Sequence, residues 1–369
     1  MSTAVETRAP ETGPPAARRS AAAGAWKTRL EESLLPPLVA VLAAMVVGDV
    51  LILSFGQSPA EVYGLLLEGT WGNAYGFGQV LYKATTLAFT GLAVALALRA
   101  GLFNIGAEGQ LAAGGFAAAL LGLVLPEGTP AVFAVPLCIL AAALGGGMVG
   151  AVPGALKARF GAHEVIVTIM LNFVVLALLN YVVAAHLHVP ETLHTPEIHA
   201  GAVPRLGGPF TGSAANWTIL LALVAAAAAW WYLYRTRRGY ELRAVGLQPE
   251  AAEYGGVKVG RVWLRAMALS GALAGLGGVN YVLGYKLYYE DGFAGGAGFL
   301  GIAVALVGRN DPVGVVLAAL FFATLSQGGL AINAVVPKQM VEVLQGVVIL
   351  AVAVSVPEVR RLLRERRAA

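Results

Sequence analysis

HEVIVTIMLNFVVLALLNYVV (residues 163–183) decides the class of this chain. Past its first two residues it is overwhelmingly apolar. A helix rising about 1.5 Å per residue needs about 20 such positions to cross a hydrocarbon layer about 30 Å thick. The polar members of the stretch are ordered: Glu164, Thr168, Asn172 and Asn180 follow a four-residue spacing, with Leu176 filling the gap. They share one helical face while the rest can meet lipid or packed helices, and Asn172 is expected to lie deepest. Two uses fit such a stripe: a wall of a translocation path, or hydrogen bonding between helices.

The remainder of the chain reads the same way. Its 369 residues are 58% hydrophobic and 12% charged, with a mean hydropathy of +0.73, against about 25% charged in soluble domains. Spans are expected at 34–55, 80–98, 105–125, 131–152, 165–186, 217–234, 262–283, 293–307, 313–332 and 340–356. The segment 293–307 is short and glycine-rich and reads as broken or re-entrant, which is tolerable only where protein or a water-filled cavity shields the backbone. With the N-terminus inside, ten crossings leave only Lys83, Arg205, Lys286 and Lys338 of the 25 Lys and Arg outside, in line with the cytoplasmic bias of positive loops. The expectation is an all-α polytopic transmembrane bundle of about ten spans with both termini cytoplasmic. Residues 1–33 read as a flexible cytoplasmic tail, with 26–30 resting on the inner membrane surface, and 357–369 as a basic tail anchored to lipid. The net charge of +4 reflects this bias and not nucleic-acid binding, and the single Cys138, within an apolar run, rules out an internal disulfide.

Three further stretches carry chemistry. RAVGLQPEAAEYGGV (243–257) is a polar island between two spans, with its own start and stop signals: Pro249 suits a first helical turn, Leu247 can staple onto it, and Gly255 and Gly256 end it. It reads as a compact cytoplasmic docking helix. GLFNIGAEGQLAAGG (101–115) places Asn104, Glu108 and Gln110 at the start of a span. Asn104 and Glu108, four apart, are expected on one helical face, either lining the inner mouth of a path or fixing a neighbouring half-helix; the plainer alternative is a capping Asn104 with Glu108 complementing the helix dipole. Asn280, Tyr281 and Gln327 are weaker path candidates, and Asp49 is assigned no role. Glycines four apart, as in Gly146, Gly150 and Gly154 or Gly271 and Gly275, read as close helix packing.

Other classes lack their residues. His188, Glu191, His194, Glu197 and His199 match no usual zinc spacing, and interleaved Pro190, Pro196 and Pro204 suggest an extended loop, so no metal is expected. No P-loop, soluble catalytic domain or connected Ser/His/Asp set occurs, so no catalytic residue and no resident cofactor is expected, and any ATP must be bound by another chain. A secondary transporter or channel usually keeps an ionisable residue deep in its spans, and only Asp49 and Glu108 come near.

With these stretches in hand, the chain resembles the permease subunits of bacterial ABC importers, in the branched-chain amino acid, simple sugar and nucleoside permease family. NIGAEGQ (104–110), EVIVTIMLN (164–172), RAVGLQPEAAEYGGV and GFLGIAVALVGRNDP (298–312) look like hallmark blocks of its nucleoside and sugar branch, in family order, within a likeness running from about 34 to 356. The resemblance implies a multi-pass inner-membrane permease domain over 34–356 whose loop at about 235–262 docks on a separate ATPase. Arg243, Gly246, Pro249, Glu250, Ala251, Ala252 and Gly255 inherit the coupling role. It also implies a second permease chain and an extracytoplasmic binding protein. The expected solute is a neutral polar one, a nucleoside with a simple sugar as alternative. Asn104, Glu108, Gln110, Thr168, Asn172, Asn180 and Asn280 are the candidates for its path.

Overall fold

The computed structural model describes residues 42–43, 45–337 and 339–351; the expected tails at 1–33 and 357–369 and the outer parts of the first and last spans lie outside them. The chain divides into two compact units. One is Asp49–Gln345; the other comprises Met1–Gly48 and Gly346–Ala369, whose described residues, 42–43, 45–48 and 346–351, are helical.

The described residues form an all-helical array with two isolated β-bridges and no longer strand. In order the helices are α1 Met45–Ser54, α2 Pro59–Glu68, α3 Ala74–Arg99, α4 Ala107–Val124, α5 Ala131–Phe160, α6 Glu164–Val182, α7 Thr218–Arg235, α8 Arg237–Leu247, α9 Pro249–Tyr254, α10 Val259–Tyr281, α11 Ala297–Val307, α12 Pro312–Ala331 and α13 Gln339–Ala351. Both α6 and α10 run on into π-helical turns, Val183–Leu187 and Val282–Lys286.

Among the described residues seven helices are long and apolar enough to cross a membrane: α3, α4, α5, α6, α7, α10 and α12. The pair α1 and α2, bent by 110° at a short break, makes an eighth if it counts as one span. The expected span at 293–307 is a helix of only 11 residues, about 16 Å long, preceded by irregular backbone. It is therefore a half-length element, as its glycine content suggested. Helix α2 was not anticipated, because Glu61 and Glu68 interrupt its apolar pattern.

Local chemistry fixes the helix ends. The Asn73 side chain accepts the Gly76 N–H at 2.6 Å to start α3. Asp311 accepts the Val313 N–H at 3.1 Å and precedes Pro312, the first residue of α12. Helix α5 continues past its expected end to Phe160, with Lys157 and Arg159 complementing the dipole of its last turn.

Helix α10 is the hub, packed on α5, α4 and α3, while α3 also holds α11 and α12. Bare backbone makes this packing possible. A Cβ added at Gly146 would overlap the Gly271 carbonyl, one at Gly150 the Met267 carbonyl, and one at Gly114 the Gly275 backbone. Away from the hub, α5 and α6 leave large apolar side chains uncovered, among them Phe133, Leu144, Met148, Phe173, Val174 and Leu178. That is the pattern of a surface facing lipid or another subunit.

Gly271→Val should lower the stability of the detergent-solubilised protein by on the order of 1–3 kcal/mol, the usual cost of overpacking. Gly64→Ala, where an added Cβ meets nothing within 4 Å, should leave stability unchanged or slightly raised. Thermal midpoints read by fluorescence size-exclusion chromatography check this, and equal midpoints would remove the α5–α10 seam from its central place.

Candidate functional site

The connection between α7 and α10 folds as two helices. Thr236 caps α8 by accepting the Gly239 N–H at 3.0 Å. Residues Arg243–Leu247, expected within the docking helix, are instead the end of α8; an extended Gln248 follows, and Pro249 opens α9 as anticipated. The expected staple is absent: Leu247 closes α8 and is 88% exposed. Helix α9 closes with Gly255 N–H on the Ala251 carbonyl at 3.2 Å and Val257 N–H on the Ala252 carbonyl at 3.0 Å. Gly256 sits between them at φ +83°, a backbone that side chains disfavour.

The seven residues expected to couple divide between two faces. Glu250, Ala251 and Gly255 are exposed, and Pro249 is half-buried. Ala252 is buried with Leu242 and Val245 against Leu96, Ala100 and Met267. Gly246 presses on the end of α3, where a Cβ would overlap the Arg99 carbonyl. Arg243 turns inward over the Tyr234 ring, 5.3 Å from its centroid, and its buried Nε has no hydrogen-bond partner. Tyr254 is also exposed, at 95%, as is Leu247. Tyr254 was not singled out in the sequence, and Leu247 only as a staple, because an apolar residue in a polar loop gives no sign of which way it faces.

Beneath this loop lies a junction that sequence reasoning missed. The Tyr234 hydroxyl, at the end of α7, donates to Asp311 Oδ2 at 3.0 Å. Arg99, at the end of α3, lies over the other side of the same junction, 5.9 Å from the Tyr234 centroid, and donates from Nε to the Asn310 carbonyl at 2.8 Å. Arg309 and Asn310 are left-handed, at φ +57° and +53°, a strained pair that Arg99 holds between α11 and α12. Helices α3, α7, α8 and α12 thus meet through one tyrosine, two arginines and a capping aspartate.

The path candidates fall into two networks. In the first, Asn104 is not on a helix; it lies in the irregular segment before α4, so it shares no helical face with Glu108. Its side chain donates to Gln110 Oε1 and Ser270 Oγ, both at 2.8 Å, and accepts the Gly106 N–H at 2.9 Å. Asn172 accepts the Gly109 N–H at 2.9 Å and donates to the Ile105 carbonyl at 2.8 Å, while Thr168 accepts the Ile105 N–H at 3.3 Å. The stripe on α6 therefore stitches the 101–106 backbone to its neighbours. Glu108 fixes a half-helix: its carboxylate accepts Gly296 N–H at 2.8 Å and Gly298 N–H at 2.7 Å at the start of α11.

In the second network Asn280 accepts from Asn216 at 2.9 Å and Thr218 at 2.8 Å, and donates to the Tyr82 carbonyl and Thr86 hydroxyl, both at 2.9 Å. Asn180 stands apart, its Oδ1 buried without a hydrogen bond. In the loop after α6, His194 stacks on Tyr288 at 4.3 Å and shares a 2.8 Å hydrogen bond with the Thr195 carbonyl. Nearby, burial raises the Tyr289 phenol above the ordinary tyrosine value and keeps it neutral.

Residues 76–353 match the family described as branched-chain amino acid transport system / permease component. The chain is 40% identical to the guanosine ABC transporter permease protein NupP of Bacillus subtilis, over 87% of this chain and 93% of that one. It is 34% identical to the nucleoside ABC transporter permease protein NupB of Lactococcus lactis, over 89% and 92%. The glucose ABC transporter permease protein TsgB13 of Haloferax volcanii is 35% identical over 86% and 87%. The first two organisms each hold a second similar permease protein, NupQ and NupC.

Removing the Glu108 carboxylate should loosen the start of α11. In Glu108→Ala, hydrogen exchange at Gly296 and Gly298 should speed up about 10- to 100-fold, as expected for donors left unsatisfied at about 1–3 kcal/mol each. Glu108→Gln, which keeps one acceptor, should fall between. Unchanged exchange in Glu108→Ala would show that α11 is held by something else.

Proposed function

The chain belongs to the family of permease components of branched-chain amino acid transport systems, and from that premise we propose that it is the membrane subunit of an ATP-binding cassette importer carrying a nucleoside across a bacterial inner membrane. What carries the solute assignment is its 40% identity, over 87% of its length, to a guanosine permease. In this reading the α8–α9 end of the bundle is cytoplasmic, as the surrounding Arg235, Arg237, Arg238, Lys258, Arg261 and Arg265 favour. A separate ATPase binds the nucleotide and seats its groove on α9. The exposed Leu247 and Tyr254 support a partner here, since covering each is worth roughly 1.5–3 kcal/mol. A second, different permease chain completes the pore, a reading supported by the paired permeases of the two relatives' organisms. An extracytoplasmic binding protein delivers the solute.

The geometry gives the drive a route. Force arriving at Glu250 and Ala251 passes through buried Ala252 and Gly246 to the end of α3. It passes through Arg243 and Tyr234 to Asp311, at the head of α12. Both inputs reach the strained turn behind α11. Such a lever works because its joints are close-packed backbone and short hydrogen bonds, which shift as units and do not stretch.

The two carboxylates that the sequence offered to the coupling ion of a secondary transporter are both engaged: Glu108 is committed to α11, and Asp49 accepts from Tyr63 at 2.9 Å. A simple sugar is the second reading for the solute, favoured by the likeness to a glucose permease.

Reconstituted with its ATPase, partner permease and binding protein, the chain should import labelled guanosine only with ATP and should exclude glucose; ATP-independent guanosine uptake would overturn the importer reading, and preferential glucose uptake the solute. Ala251→Trp and Glu250→Arg should cut ATP-driven uptake at least about tenfold at normal protein levels, the loss of one well-made interfacial contact. Tyr234→Leu should leave the ATPase bound yet reduce uptake per ATP hydrolysed, with Tyr234→Phe intermediate. Wild-type coupling in Tyr234→Leu would strike the junction from the route.

A further inference from the structure

We propose that Tyr82, Tyr281, Tyr285 and Phe293, with Glu290 at their rim, form the cup that reads the base of the transported nucleoside; the proposal rests on the nucleoside reading above and names its specificity residues. The cup lies at the end of α10 opposite α9. There α10 opens into its π-helical turn, a feature that recurs at functional sites, and Leu287 at φ +62° folds the following residues back over the helix end.

Four elements of the chain bring these rings together. Tyr82 of α3 lies 5.3 Å from Tyr285, Tyr285 6.2 Å from Tyr281, and Tyr281 4.7 Å from Phe293. Behind them Tyr289 packs edge-on against Phe293 and Phe116, each at 5.3 Å, and is itself buried. The four front rings are only half-buried and keep uncovered surface. One polar edge reaches a carboxylate: the Tyr281 hydroxyl donates to Glu290 Oε1. Lys286 balances that charge at 3.6 Å from Oε2.

This chemistry suits a planar heterocycle better than a bare sugar. Stacking on aromatic rings contributes roughly a factor of ten to a hundred per base and tolerates any base. A carboxylate has about four acceptor sites. Tyr281 takes one on Glu290 and Lys286 stands 3.6 Å from the other oxygen, so the remaining two can receive a ring N–H and an adjacent amine, the edge that guanine presents and adenine lacks. Of the path amides that could bind sugar hydroxyls, Asn104, Asn172 and Asn280 spend theirs on the protein, which leaves only the Oδ1 of Asn180 among them. Phe293 also joins the cup to the drive. It leads through Gly295 and Gly296 into α11, held at this end by Glu108 and reaching the Arg99 and Tyr234 junction at the other. A tilt of this short rod would withdraw Phe293 from the base.

The test uses the complete transporter in proteoliposomes with saturating binding protein. Glu290→Gln should lower guanosine uptake about tenfold relative to adenosine, as expected for a lost charge-assisted hydrogen bond. Phe293→Leu should lower both alike, with Phe293→Tyr restoring them. Photolabelling of the wild-type complex with 8-azidoguanosine should place the adduct within residues 281–293 or on Tyr82. If the wild type moves guanosine but Glu290→Gln keeps its discrimination, or the adduct maps elsewhere, the cup is not the reader. If the wild type moves no nucleoside, the functional reading itself fails and the proposal with it. A variant that misfolds is recognised by loss of ATPase co-purification, and the photolabel on wild type then decides alone.

Discussion

A peptide N–H left without an acceptor in hydrocarbon costs several kcal/mol, and this fold breaks its helices in two places where that penalty applies. The segment 101–106 and the approach to α11 both run irregularly between apolar helices. Neither break would persist without side chains standing in for the missing backbone acceptors. Thr168 accepts the Ile105 N–H of the first, Asn172 accepts the Gly109 N–H just beyond it, and Glu108 accepts at the second, while Asn104 ties the first to Ser270, which in turn donates to the Ala93 carbonyl at 2.6 Å. The carboxylate of Glu108 also meets the positive end of the α11 dipole, so one charge answers both the hydrogen-bonding and the electrostatic demand.

From that constraint follows the shape of the proposed machine. Because α11 is only half-length, it can be held at its two ends and can move as a rod. One end is fixed by Glu108 and adjoins an aromatic cup; the other enters the strained Arg309 and Asn310 turn, gripped by Arg99 and neighboured by Tyr234 and Asp311. Glycine seams along α5 and α10 give the surrounding bundle close backbone contact, so that displacement at α8 and α9 is passed on.

Much of this was legible in residue order because it depended on local rules. The apolar runs, Pro249 at the start of α9, Gly255 at its end and the short glycine-rich 293–307 segment are all readable from spacing and conformational preference. The half-helix role of Glu108 was one of three readings left open, and its hydrogen bonds to Gly296 and Gly298 support it. What order alone concealed was pairing between residues far apart in the chain. Nothing near Arg99 announces that it meets Asn310, and nothing near Tyr234 announces Asp311. Leu247 failed as a staple because it closes α8 and stays exposed, and nothing in the polar loop marked where one helix ends and the next begins. Asn104 shows the limit of periodicity, since a spacing of four implies a shared face only where the chain is helical.

The central claim is that an external ATPase moves this chain through α9. Its most direct measurement is site-directed labelling of Tyr254→Cys in a Cys138→Ser background. In right-side-out and inverted vesicles, the account predicts that a membrane-impermeant maleimide reacts only from the cytoplasmic face and that bound ATPase blocks the reaction. Labelling from the outer face, or undiminished labelling with the ATPase bound, would contradict it.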